Sequence, residues 1–332
     1  MKFGPLNVRE AEGAVLAHSV AVPGQGRLRK GRVLDATDLA SLTKAGIETV
    51  TVAQISADDV PEDAAAEKLA RALVPDPQAA GVKLTPAFTG RVNILADGPG
   101  VACIDTGAVD AVNAVDPMIT VATVPPYQQM ATGGMLATIK IISYAVPSDA
   151  LDRSCIAARQ GISLLRPQVQ SVQLVVTDTV GGPGDKGWQA IAGRVEAFGL
   201  ELTPPVRVPH EVEPLAKVLR ESEADLVLIL TASATSDPED VAPASVREAG
   251  GSVDRFGMPV DPGNLLFIGS IGAQKVIGLP GCARSPALNG ADWVMGRVIC
   301  GQPVTGVDIA GMGVGGLLKE IPSRPQPRRR TK

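Results

Sequence analysis

Residues 225–230 read DLVLIL, five consecutive apolar side chains after one acid. The run is too short for a helix. It has none of the polar alternation of a strand with one wet face, so it predicts a central parallel strand covered on both sides. Its neighbours agree. EVEPLAKVLRESEA (211–224) and EDVAPASVREAGG (239–251) both carry helical periodicity. Upstream, VQLVVT predicts a strand, DKGWQAIAGRVEAFG a helix stopped by Gly199, and ELTPPVRV a second strand. Downstream, LLFIGSI and QKVIGLPG can pair as a hairpin before a closing helix in SPALNGADWVMGRVICG. Strand–helix alternation of this kind predicts an α/β fold, here a C-terminal three-layer α/β/α sandwich with a mainly parallel sheet.

The earlier residues have a different texture. Residues 1–58 end in a short helix capped by Asp38 or Thr37, closed by Gly46, and followed by the alternating strand ETVTVAQI. Residues 59–147 open with an Ala- and Glu-rich helix. They continue as short β-rich runs (GRVNILAD, GVACIDTG, MITVATV, MLATIKIISYAV) between Gly and Pro, predicting a small α+β, β-rich module. The third segment, 148–321, begins with a helix capped by Ser148, and 322–332 reads as a disordered basic tail.

Composition narrows the function. At 332 residues two or three domains are expected. A net charge of -4 and 3% aromatics exclude a nucleic-acid binder, which needs a basic field and stacking rings. No run approaches eighteen apolar residues and the N-terminus is charged, so a cytoplasmic protein that does not enter the membrane is expected. Cys103, Cys155, Cys282 and Cys300 form no C-x-x-C pair, and with only His18 and His210 no zinc site of ordinary spacing can be written. Reduced thiols are the expectation.

Ligands of open α/β sheets gather at the carboxyl ends of the strands. Three loops fall there. In TDTVGGPGDKG (177–187) the bent glycine backbone can face an anion, and Asp185 is either an N-cap or a carboxylate open to Mg²⁺. In TASATSDPED (231–240) the hydroxyls of Thr231, Ser233, Thr235 and Ser236 precede Asp240 at a helix start. They suit a phosphate, or equally a polar connection bonded to its own backbone. In GLPGCARSP (278–286) Arg284 follows the turn at Gly281, placed either for phosphate or for solvent.

Together the stretches DKGWQAI, LILTASATSDPEDVAPASV, GMPVDPGN and VIGLPGCARSPAL resemble, in order and spacing, the molybdopterin-binding domain. That domain is shared by molybdopterin adenylyltransferases and molybdenum insertases of molybdenum-cofactor biosynthesis. Asp185-Lys186-Gly187 matches the family's first βα loop, and Pro238-Glu239-Asp240-Val241 the end of its central loop. AEGAVLAHSVAVPG and the helix and strand after it resemble the linking region of the insertases. The whole chain is similar to the non-transferase half of proteins fused to a molybdenum-cofactor cytidylyltransferase.

The resemblance implies molybdopterin as ligand, with Thr231, Ser233, Thr235, Ser236, Gly281 and Arg284 at its phosphate. If the protein is catalytic, it implies Asp185 and Asp240 as catalytic, Mg²⁺-holding residues for nucleotidyl transfer with ATP or CTP, or for metal insertion. The alternative is a non-catalytic carrier that delivers the cofactor to a separate cytidylyltransferase or apo-enzyme. A homo-oligomer and contacts with other maturation enzymes are implied by analogy. Ala232, Ser233 and Thr235 stand where the family has glycine, and Cys282-Ala283 where it has Asn-Pro. In the β-rich module, Arg91, Asn93, Tyr127 and Lys140 are either cleft-lining or ordinary surface residues.

Overall fold

The computed structural model describes residues 1–24, 26–180 and 187–318. It is mixed α/β and divides into two compact units. The first holds residues 1–98, 102–126 and 132–164, and the second holds 99–101, 127–131 and the chain from 165 onward. Among the described residues no helix is long and apolar enough to cross a membrane, and no disulfide joins the four cysteines.

In the first unit, strand Thr49–Gln54 pairs antiparallel with Lys2–Asn7 and with Val15–Leu16. Helix Ala36–Lys44 packs Leu42 into a core with Val8, Leu16, Leu34 and Val52. Its cap is Asp35, three residues before Asp38. Asp38 supplies the other half of a capping box and takes a 2.6 Å bond from Arg32 Nε, so the acid expected at the cap serves one turn later. A second, wholly antiparallel sheet runs in the order Ile119–Thr123, Met135–Ile141, Arg91–Ala96, Val82–Leu84. Helix Glu62–Leu73 buries Ala65, Ala66, Leu69, Ala70 and Leu73, the spacing of one helical face.

Helix Ser148–Ala158 belongs to this unit, although the sequence boundary at 148 grouped it with the third segment. Its N-cap is Pro147, with no side-chain cap bond; Ser148 is already the first helical residue.

The second unit carries the six-stranded sheet. In chain order its elements are β1 (Val172–Asp178), α1 (Trp188–Glu196), β2 (Val206–Pro209), α2 (Val212–Glu221), β3 (Leu226–Leu230), α3 (Val241–Glu248), β4 (Ser252–Phe256), β5 (Phe267–Ile271), β6 (Gln274–Leu279) and α4 (Gly290–Ile299). The order across the sheet is β2-β1-β3-β6-β5-β4. The first three pairings are parallel and the last two antiparallel, so the sheet is mixed.

Every residue of β3 is buried, as DLVLIL requires. Leu226, Leu228 and Leu230 pack with Ile191 and Val195 of α1 and Val294 and Met295 of α4. Val227 and Ile229 pack with Leu215 and Leu219 of α2 and Val246 of α3. Each such aliphatic side chain contributes roughly 1.5–3 kcal/mol on burial. Pro204 and Pro205 lack the amide a ladder needs, so β2 starts only at Val206. At Gly278 a Cβ would lie 1.9 Å from the Phe267 ring on the neighbouring strand, so only glycine admits that ring.

Candidate functional site

β1, β2 and β3 are parallel, so their carboxyl ends lie side by side and carry Thr177, His210 and Thr231. The loop after β3 is built largely from its own hydrogen bonds. Thr231 Oγ1 donates to the Ser233 carbonyl (2.5 Å) and lies 3.3 Å from Thr235 Oγ1; both threonines are buried. Ser236 Oγ donates to the Ala234 carbonyl. Asp240 is the N-cap of α3. Its Oδ1 accepts the Val241 amide at 2.7 Å and its Oδ2 the Ser236 amide at 3.0 Å. The Ala232 amide donates to Thr177 Oγ1 at 3.0 Å.

None of residues 231–236 has a positive φ. The Cβ atoms at 232, 233 and 235 therefore cost no backbone strain, although the family pattern has glycine there. Three consecutive amides, those of residues 233, 234 and 235, have no hydrogen-bond partner among the described residues. Ser233 and Ala234 are exposed.

The third loop is held in place from below. After β6 the chain makes a 3-10 turn, Gly281–Arg284. Arg194 of α1 grips it, with its guanidinium donating to the carbonyls of Ala283 (3.0 Å), Ser285 (2.8 Å) and Ala287 (3.0 Å). Arg194 also bonds the carbonyl of Ala190 and pairs with Asp292 at 2.5 Å. Asp292 completes the capping box of α4 with Asn289, so one buried cation ties α1, the turn and the start of α4 together. Arg284, fixed in this way, donates from Nη2 to the Thr231 carbonyl at 2.7 Å. Burial draws the Arg284 pKa below its usual value, and Asp178 opposes that shift; arginine remains charged regardless. Gly187, at φ +100°, lets the chain pass the Arg284 side chain, because a Cβ there would lie 2.7 Å from Arg284 Cγ.

The structure thus gathers Thr231, Ser233, Thr235, Ser236, Asp240 and Arg284 around one strand end, with Gly281 at the start of the turn. Asp185 lies outside the described residues, as does the basic tail. Sequence reading missed His210, whose Nδ1 is 2.9 Å from Thr177 Oγ1, and it missed Arg194 altogether. Chemically the site offers hydrogen-bond donors and a guanidinium, groups of the kind that suit an anion. Among the described residues no group of three or more His, Cys, Asp or Glu could hold a metal ion.

Elsewhere, Arg91, Asn93 and Lys140 share the solvent-side face of the antiparallel sheet in the first unit. Arg91 donates to Thr138 Oγ1, which donates to Asn93 Oδ1, while the Lys140 ammonium meets the Thr89 carbonyl and Glu62. Burial raises the Glu62 pKa, and Lys140 opposes it. Tyr127 belongs to the second unit, its ring stacked under the Arg297 guanidinium at 4.0 Å. The second unit also holds a cavity of about 510 Å³ at the amino ends of β3 and β6, floored by Ile268, Ile277 and Val298, with Asp225, Asp254 and Lys275 on its lining.

A family described only as a domain of unknown function, DUF8806, matches residues 5–54. No curated protein matches the chain. Among solved structures, the chain is similar to the molybdopterin biosynthesis MoeA protein of Pyrococcus horikosii, at 14% identity over 90% of this chain and 75% of that one, with a TM-score of 0.31. A molybdenum cofactor biosynthesis protein of Pyrococcus furiosus matches at 13% identity over 93% and 65%, with a TM-score of 0.26. A MoeA protein of Pyrococcus horikoshii OT3 matches at 12% over 93% and 75%, with a TM-score of 0.27.

Proposed function

We propose that this chain is a molybdopterin-binding protein of cytoplasmic molybdenum-cofactor maturation, holding the pterin's phosphate at the carboxyl end of β3. The observation that carries this reading is the run of unpartnered amides at 233–235 beside the guanidinium of Arg284. Backbone N–H groups left without a protein partner are donors an anionic group can use. The four sequence motifs resembling the molybdopterin-binding domain supply the identity of the ligand. The domain is read as a three-layer α/β/α sandwich, a reading supported by the separate cores that α1 and α4, and α2 and α3, form with alternate residues of β3.

Binding is favoured over turnover. Both Asp240 oxygens already accept backbone amides, Oδ1 from Val241 at the start of α3 and Oδ2 from Ser236 in the loop before it. The described residues do not by themselves form a Mg²⁺ site. The function proposed is that of a carrier, acting as a homo-oligomer and handing the cofactor to other maturation enzymes.

The test is titration of the full chain with molybdopterin. Arg284→Gln should weaken binding about tenfold or more, the loss of one charge-assisted hydrogen bond. Wild-type protein that fails to bind molybdopterin would refute the reading. Pyrophosphate release with molybdopterin and MgATP or MgCTP would replace the carrier with a nucleotidyltransferase.

A further inference from the structure

The hydroxyl of Thr177 is fully buried and sits between two nitrogens. The Ala232 amide lies 3.0 Å away on one side and His210 Nδ1 2.9 Å away on the other. An amide can only donate, so the Thr177 oxygen accepts from Ala232 and its own proton must go elsewhere. Among the described residues His210 Nδ1 is the one acceptor in reach. Thr177 has no exposed surface to offer that proton to water. Nδ1 is therefore the acceptor, and the neutral imidazole carries its proton on Nε2. His210 itself is half-buried, its amide is fixed on the Asp178 carbonyl at 3.0 Å, and Nε2 has no partner among the described residues.

We propose that Thr177 is a positioning residue. It locks His210 in the Nε2–H tautomer and anchors the loop at Ala232, leaving Nε2–H as the ring's donor at the end of β2. Two hydrogen bonds separate the ring from the loop. The order is Ala232 N–H to Thr177 Oγ1, then Thr177 O–H to His210 Nδ1.

The experiment is long-range ¹H–¹⁵N spectroscopy of the imidazoles in the full chain, with His18→Gln to assign the two histidines. With the ring neutral, the expected spectrum of His210 shows a protonated Nε2 and a bare Nδ1. Thr177→Ser should preserve that pattern and Thr177→Val should lose it. A protonated Nδ1 in the wild type, or an unchanged pattern in Thr177→Val, overturns the tautomer lock.

Discussion

Replacing Arg194 with Met tests the most consequential interaction in the second unit. The side chain is nine-tenths buried, as nearly is its partner Asp292, and the guanidinium satisfies that carboxylate and four carbonyls. Methionine fills most of the space but leaves Asp292 Oδ1 without its cation and the turn carbonyls without donors. Removing one member of a buried pair costs about 3–5 kcal/mol, because the remaining charge stays desolvated. Both tryptophans, Trp188 in α1 and Trp293 in α4, lie in this unit. Urea unfolding followed by their fluorescence therefore reports the right cores. A midpoint loss equivalent to about 3–5 kcal/mol is expected for Arg194→Met. The double variant with Asp292→Asn should lose less than the sum of the two singles, since the stranded charge is gone. Arg194→Lys should fall between, a point charge being unable to span carbonyls on both sides. A loss under about 1 kcal/mol for Arg194→Met, or strict additivity in the double variant, would refute the reasoning.

The other predictions are smaller. Gly278→Ala should destabilise the same transition by about 1–3 kcal/mol through collision with Phe267, and Phe267→Leu in the same chain should recover part of the loss; equal effects in both backgrounds would reject the steric account. Asp240→Ala should cost about 1 kcal/mol and Asp240→Asn far less, read from thermal midpoints, because asparagine also caps helices. Asp225 accepts the amides of Gln170 and Ser171, which hold its pKa below the usual aspartate value. A depressed folded pKa gives stability that is complete above the unfolded value near 3.9 and fades as pH falls through the folded one. Asp225→Asn should therefore lower the midpoint at pH 7 and lose that deficit in strong acid, and a pH-independent deficit would contradict it.

How far the sequence could be read follows from the range of each interaction. β3 was legible because an apolar run needs no knowledge of its neighbours, and the β5–β6 hairpin because both strands stand on either side of a short turn. β4 was not: SVDRF is an edge strand, polar and half-exposed, with no alternation to betray it. Arg194 belongs to no motif, yet it stands three residues after buried Ile191 on the same helical stripe, a placement that could have flagged it. The Thr177–His210 bond depends on parallel register, Thr177 opposite Val208, between residues 33 apart. No local pattern encodes that. Asp35 and Asp38 show the finer limit, since either acid suits a helix start and only the turn geometry decides.

The loop after β3 keeps to backbone conformations open to any L-residue, and Ser233 at its crest is exposed. A glycine-built cradle fixes its selectivity in the main chain and leaves little to alter. On the anion-binding reading proposed above, the main chain supplies the generic grip while position 233 is free to take on size, charge or a hydroxyl. Ligand preference can thus drift by single substitutions at that position without disturbing the strand beneath it.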